Sequence, residues 1–329
     1  MKTFITGASG YLGQKLAWKL AESGEHVQVL IRNKNIAVHL MHPNIKIFYG
    51  DILDLKSVKE ALADCEVIFH VAALARVWSK NPEDFFTVNV DGTKNLIQAA
   101  KEANVKKFIL TSSTGTIGPS LKKPNDENTS RWSSFNNDYE LSKYLAEEEV
   151  QKEVSNGFPG LIVNPSRIFG PGLESPSSGI NRLIAGYLKN RIAIMPTNHR
   201  ALGNYGYIDD IVEGHIKARD KGEIGQKYIL GGENKSLGEL FKTIQKLSPQ
   251  RGIILKFPIW PLKYWSSFEL FLGDKFGRTP KITPDFVKRI NQDAAFSSEK
   301  AIQNLGYKVT PFEEAIEITI QFLWHKRST

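Results

Sequence analysis

Lys2-Thr3-Phe4-Ile5-Thr6-Gly7-Ala8-Ser9-Gly10-Tyr11-Leu12-Gly13 opens the chain and decides its fold. The first five residues read as a buried strand, and the glycines follow where a strand must turn abruptly into a helix. Each glycine has its own part to play, with a tight turn at Gly7, close backbone approach to a pyrophosphate at Gly10, and helix–strand packing at Gly13. The helix start would aim its free N–H groups at the phosphates, so Gly7, Gly10, Tyr11, Leu12 and Gly13 are candidate dinucleotide contacts. The spacing is G-x-x-G-x-x-G, one residue longer than the ordinary dinucleotide fingerprint.

Working outward, short apolar runs alternate with helical patterns as far as Ser166. Strands are predicted at Lys2–Thr6, His26–Ile31, Ile45–Tyr49, Glu66–Val71, Lys107–Ser112 and Leu161–Asn164, with helices beginning near Tyr11, Asp54, Pro82 and Asn137. Strand–helix alternation of this kind predicts an α/β fold, a Rossmann-type doubly wound parallel sheet joined by right-handed crossovers. Beyond Asn164 the alternation breaks. Gly170-Pro171-Gly172 through Gly179 reads as a flexible loop and candidate lid. Helical patterns at Ile208–Arg219, Leu237–Leu247, Trp260–Leu272 and Pro311–Trp324, with a strand at Lys227–Leu230, predict that the chain returns to the sheet once. The expected division is therefore discontinuous: residues 1–168 and 204–232 for the dinucleotide, and 169–203 and 233–329 as a smaller, mostly helical substrate domain.

The 329 residues are 41% apolar and 24% charged, ordinary for a globular protein with a substantial core. The net charge of +8 comes from Lys and Arg spread along the chain, which argues against a nucleic-acid partner. Cys65 is the sole cysteine, excludes an internal disulfide, and reads as a small buried hydrophobe. The histidines and carboxylates lack ligand spacing, so no metal site is expected. Without an apolar leader or an 18-residue apolar span, the expected location is cytoplasmic.

Tyr139 and Lys143 stand four residues apart in Asn-Asp-Tyr-Glu-Leu-Ser-Lys, which places them on one face if the segment is helical. A lysine cation beside a phenol favours tyrosinate. Bringing a phenol from pH 10 to 7 requires about 4 kcal/mol of differential stabilisation. At the end of the second strand, where an NAD site holds an acid against the ribose, this chain has Arg32, with Lys34 nearby. A guanidinium there would pair with a 2′-phosphate, so NADP(H) is the preferred cofactor, with NAD(H) second.

With these residues placed, the chain resembles the extended short-chain dehydrogenase/reductases, the NAD-dependent epimerase/dehydratase family. The resemblance also rests on Gly50-Asp51-Ile52, His70-Val71-Ala72-Ala73, Asn89-Val90-Asp91-Gly92-Thr93, Thr111-Ser112-Ser113, Asn164-Pro165-Ser166 and Tyr207-Ile208-Asp209-Asp210. It implies cofactor contacts at Asp51, Ile52, Ala72, Ala73, Tyr139, Lys143, Pro165 and Ser166. It implies a catalytic set of Ser113, Tyr139 and Lys143, with Ser112 and Thr114 as rival hydroxyls, and it admits a homodimer.

Two departures bear on the reaction. Arg167 and Gly203-Asn204-Tyr205 stand where sugar-nucleotide enzymes of the family hold a diphosphate, whereas Arg32 and Asn164-Pro165-Ser166 look more like the dihydroflavonol reductase-like branch. The expected reaction is hydride transfer between a nicotinamide and a carbonyl or alcohol carbon of a small, moderately apolar substrate; a nucleotide-sugar epimerase or dehydratase is the alternative, and an NADP-sensing protein without chemistry the third reading. Arg76, Trp78, Ser113, Arg167, Tyr205 and Tyr207 are the candidate substrate contacts, because sites in open α/β sheets gather beyond the carboxyl ends of the strands. The aromatic run Phe257–Leu272 is expected to be core, ahead of peripheral membrane contact.

Overall fold

The computed structural model describes residues 1–76, 78–175, 178–197 and 200–328. Its strands are β1 Lys2–Thr6, β2 His26–Ile31, β3 Ile45–Tyr49, β4 Val67–His70, β5 Lys107–Thr111, β6 Gly160–Pro165, β7 Arg167–Phe169, β8 Ile192–Pro196, β9 Leu202–Tyr207, β10 Lys227–Leu230, β11 Glu233–Ser236 and β12 Ile253–Phe257. Seven form one sheet in the order β10-β6-β5-β4-β1-β2-β3, every neighbouring pair parallel. The order reverses between β1 and β4, which opens a crevice at the carboxyl ends of those two strands.

Side-chain alternation along each strand supplies a core on each face. Phe4, Ile68, Phe108, Leu110 and Ile162 point to one side, where the helices Leu55–Leu62, Gly92–Glu102 and Asp138–Val154 cover them. Ile5, Val29, Phe69, Ile109 and Val163 point to the other, beneath Tyr11–Glu22 and Ile208–Lys221. Cys65 is buried in the first of these cores.

The part beyond β6 holds more strand than the sequence patterns indicate. β7, β9 and β11 form a three-stranded sheet, and β8 pairs with β12 in a parallel ribbon. β7 has three residues, too few for a period to show. Lys227–Leu230 does return to the main sheet, beside β6.

The Gly170–Gly179 stretch is loop, as expected, and its first residue is held: the Tyr11 hydroxyl and Asn181 Nδ2 both donate to the Gly170 carbonyl, at 2.6 and 2.8 Å. Pro176 and Ser177 lie outside the described residues. One expectation needs correction: the aromatic run is not core. Helix Ile259–Phe276 buries Ser266, Glu269 and Gly273 and leaves its aromatic side chains outward. Close approach and polar pairing fix that face: a Cβ on Gly273 would lie 2.8 Å from the Pro280 ring, and the Glu269 carboxylate accepts the Lys281 N–H at 3.1 Å.

Candidate active site

The glycine turn is built as its spacing requires. Gly7 has φ +75°, and a Cβ there would stand 2.5 Å from the Ala72 nitrogen at the end of β4; a Cβ on Gly13 would lie 2.3 Å from the Gly7 carbonyl. No side chain caps the helix start at Gly10, so its first N–H groups face the crevice with an uncompensated partial positive charge. Tyr11 is buried and reaches across to Gly170, while Lys15 pairs with Asp209 on the next helix. Asp51, Ile52 and Arg32, further cofactor candidates, follow β3 and β2. Asp51 turns the chain after β3 by accepting the Leu53 N–H at 3.0 Å, and Ile52 packs so closely on Gly92 that a Cβ there would lie 2.7 Å away. Arg32 is exposed at the end of β2, its guanidinium 3.6 Å from the Asp51 carboxylate.

Behind the crevice, His70 is fully buried between Thr6 and Thr93, at 2.8 and 2.9 Å. The Thr93 hydroxyl donates to the Asn89 carbonyl, so it accepts from His70 Nε2–H, and Nδ1 accepts from Thr6. Burial drives the imidazole well below its ordinary pKa, which keeps it neutral. The chain of bonds continues through Asn89 Nδ2 to the Ser142 hydroxyl at 2.9 Å, and from Ser142 to the Tyr139 carbonyl at 3.0 Å. A buried polar line thus connects the turn after β1 to the helix carrying Tyr139.

That helix, Asp138–Val154, begins at Asn137, whose side chain accepts from the Glu140 N–H. Tyr139 faces the Ser113 hydroxyl. Burial raises its phenol above the ordinary value, opposed by the Arg289 cation and then by the Ser113 contact. The helix Pro284–Ile290 thus supplies a cation, Arg289, that the spacing of Tyr139 and Lys143 does not announce. Lys143 is 1% exposed, its Nζ has no hydrogen-bond partner among the described residues, and burial brings its pKa down to about 8, against the opposing charge of Glu147.

Two of the rival hydroxyls point to different partners. Ser112 donates to Glu147, and so does Thr116 at 2.8 Å, while Ser113 turns the other way and accepts the Gly115 N–H. Glu147 also takes Asn164 Nδ2 and Lys227 Nζ, both at 2.7 Å, so this buried carboxylate fastens β5, β6 and β10 to the helix. Glu140 does the same at the helix start, accepting from Arg131 at 3.0 Å with Arg289 Nε 3.7 Å away.

On the substrate side the candidates disperse. Arg76 is exposed after β4, and Trp78 donates to Asp274 at 3.0 Å, on the aromatic helix. Tyr205 and Tyr207 are core residues, packed with Phe312 and Phe169 at ring distances of 5.6 and 6.1 Å. Both rings are buried among these neighbours. Arg167 stays half-buried beside Tyr205, and its charge and that of Arg289 act on each other.

This crevice fits a dinucleotide on three observations: a turn that tolerates no Cβ, an uncapped helix start, and a buried ammonium without a partner. The sequence profile of the NAD dependent epimerase/dehydratase family matches residues 3–231. The chain belongs to this family. As a member of the epimerase/dehydratase family it is an NAD(P)-dependent oxidoreductase.

Relatives include sterol demethylase protein B of Methylococcus capsulatus, 30% identical over 93% of both chains. A candidate dihydroflavonol 4-reductase of Synechocystis is 29% identical over 95% of this chain and 92% of its own. Among solved structures, gox2253 is 32% identical with a TM-score of 0.79, covering 98% of each chain. The UDP-glucose 4-epimerase of Thermotoga maritima superposes with a TM-score of 0.83 over 100% of both chains at 20% identity, a likeness of fold.

Sequence reasoning missed Arg289, Glu140 and Glu147. Glu147 had a signal: Tyr139, Lys143 and Glu147 follow one another at intervals of four, on one face of the helix. Arg289 had none, since only folding brings residue 289 to residue 139.

Proposed function

We propose that this protein is an NADP-dependent dehydrogenase/reductase that moves a hydride between the nicotinamide and a carbonyl or alcohol carbon of an apolar small molecule, with Tyr139 giving or taking the proton. The observation that carries the reading is the facing pair of Ser113 and Tyr139 hydroxyls beside the unpartnered Lys143 ammonium. When bound, the nicotinamide supplies or accepts the hydride.

The protein's own part follows from its electrostatics. A phenol raised by burial is neutral at pH 7, which is the form a proton donor to a carbonyl needs. Ser113 and Tyr139 would both donate to the carbonyl oxygen and stabilise the charge that develops there. Once the proton has left, the Arg289 cation stabilises the phenolate, which makes the reverse step accessible at higher pH. Lys143 would hold the nicotinamide ribose, because an ammonium buried without a partner is costly until a polar group reaches it. Arg32 would hold a 2′-phosphate, with its Asp51 contact long and exposed enough to yield. Residues 1–168 and 204–232 would serve the cofactor, and 169–203 and 233–329 the substrate.

An alcohol or ketone of the sterol kind suits this reading. The sterol-4-alpha-carboxylate 3-dehydrogenase of Mus musculus, a decarboxylating enzyme, is 26% identical over 99% of this chain, and the Arg167/Arg289 pair would accept an acidic group near the reacting carbon. The same two guanidiniums would also suit a diphosphate, the one observation that favours a nucleotide-sugar epimerase. Net cofactor turnover decides between them. Incubation with NADPH and a panel of ketones, sterol-type ketones included, should oxidise NADPH, and Tyr139→Phe should abolish it. Isomerisation of a sugar nucleotide with no net NADPH oxidation on any carbonyl would refute the reading. Arg32→Ser should weaken NADPH binding and leave NADH binding unchanged; equal effects on both would remove the NADP preference.

A further inference from the structure

We infer that the helix Ile259–Phe276 is a docking surface for anionic lipid, on which the protein lies without crossing the bilayer. The helix is amphipathic in the reverse of the usual sense. A helix on a globular protein turns its apolar stripe to the core. Here the face against the protein is Ser266, Glu269 and Gly273, while Trp260, Tyr264, Trp265, Phe268, Phe271 and Phe276 are each 50% exposed or more. At 3.6 residues per turn Trp260, Tyr264, Phe268 and Phe271 fall within about a quarter of the circumference, a continuous stripe. Water solvates such a stripe poorly. Trp and Tyr, with apolar rings and polar edges, are the side chains that settle at the boundary between headgroups and acyl chains.

The strand before it extends the apolar surface. In the β8/β12 ribbon Ile192 lies opposite Ile253 and Ile194 opposite Leu255, all four exposed, while Ala193 and Met195 between them point inward. The ribbon runs through Phe257 and Pro258 directly into the helix.

Charge selects the partner. Residues 251–281 hold six basic and two acidic residues, a net +4. One of the acids, Glu269, is buried in contact with Arg278 and the Lys281 N–H, and the other, Asp274, takes the Trp78 indole. Lys256, Lys263, Lys275, Arg278 and Lys281 are exposed around the aromatic stripe. The Lys275 ammonium stands over the Phe271 and Phe276 rings, at 5.6 and 5.5 Å from their centroids, so a cation sits directly against the aromatic surface. Apolar stripe, interfacial aromatics and a cationic rim together are the pattern of a helix lying in an anionic membrane surface. A second copy of this chain would bring the same cations against each other. No helix among the described residues is long and apolar enough to cross a membrane, which matches a surface attachment.

The test is flotation of the purified protein with phosphatidylcholine vesicles, with and without phosphatidylserine, followed also by tryptophan emission. Binding should require phosphatidylserine, fall with added salt, and shift the emission to shorter wavelength. Trp260→Ser with Phe268→Ser and Phe271→Ser should lower the vesicle partition coefficient at least tenfold. Lys263→Glu with Lys275→Glu should lower it on phosphatidylserine vesicles by roughly 5-fold or more per reversed cation. Unchanged circular dichroism and NADPH affinity in both variants would show that the fold survives. Absence of binding to phosphatidylserine vesicles would overturn the inference. So would a concentration-dependent dimer that the aromatic substitutions dissolve, since the stripe would then be a contact between copies. Neither outcome depends on the identity of the substrate.

Discussion

Replacing Lys143 by methionine should stabilise the cofactor-free protein while destroying its activity. The side chain is 1% exposed, its Nζ has no partner among the described residues, and its pKa falls from 10.5 to about 8. A lysine that binds its proton less tightly when folded opposes folding wherever the unfolded chain would hold that proton. The difference of 10.5 and 8 corresponds to about 3 kcal/mol, present in full below pH 8 and relieved as pH rises from 8 towards 10.5. Methionine keeps the stem's volume and removes the charge, so Lys143→Met should gain about 3 kcal/mol at pH 7 and only about 1 kcal/mol at pH 9.5. Glu147 does not reverse the sign, because Lys227 and three neutral donors still satisfy it. Urea unfolding of both proteins at the two pH values measures this. Turnover should be lost, and saturating NADPH should narrow the stability gap by favouring the wild type. A variant that is no more stable at pH 7, or whose advantage does not shrink by pH 9.5, would refute the claim that the ammonium is held at a cost.

Other substitutions probe the rest of the site. Arg289→Met removes the cation that opposes burial at Tyr139, so the alkaline limb for alcohol oxidation should move to higher pH while Arg289→Lys restores it; a pH profile of kcat/KM reads this directly. Gly7→Ala places a Cβ 2.5 Å from the Ala72 nitrogen at φ +75°, which should cost at least ~2 kcal/mol and abolish cofactor binding, measured by thermal unfolding and NADPH fluorescence. Glu147→Leu leaves Ser112, Thr116, Asn164 and Lys227 without their shared acceptor, and should lower stability by roughly 3 kcal/mol or more in urea unfolding.

Much of the fold and part of the site are legible in the order of residues alone. The first six strands lie within a residue or two of their expected limits, because each is a short run rich in apolar and β-branched residues. The helix caps at Asp54 and Asn137 stand where their residue types require. The glycine turn is legible for the same reason, since its function rests on spacing inside one segment. His70 is a satisfied strand-end histidine, as its surroundings in sequence imply.

What resists reading is whatever depends on packing between distant segments. An aromatic run looks like core in one dimension, yet Ser266, Glu269 and Gly273 occupy the close contact and turn the rings outward. Tyr205 and Tyr207 are buried by packing against Phe312 and Phe169, contacts that no local pattern announces. The spacing of Tyr139 and Lys143 places them on one helical face, since 3.6 residues per turn is a local constraint. Their electrostatics are not local. Burial sets the Lys143 ammonium and raises the Tyr139 phenol, and the cation that opposes it arrives on a helix about 150 residues downstream, because Coulomb interactions follow distance in space and carry no trace in the order of residues.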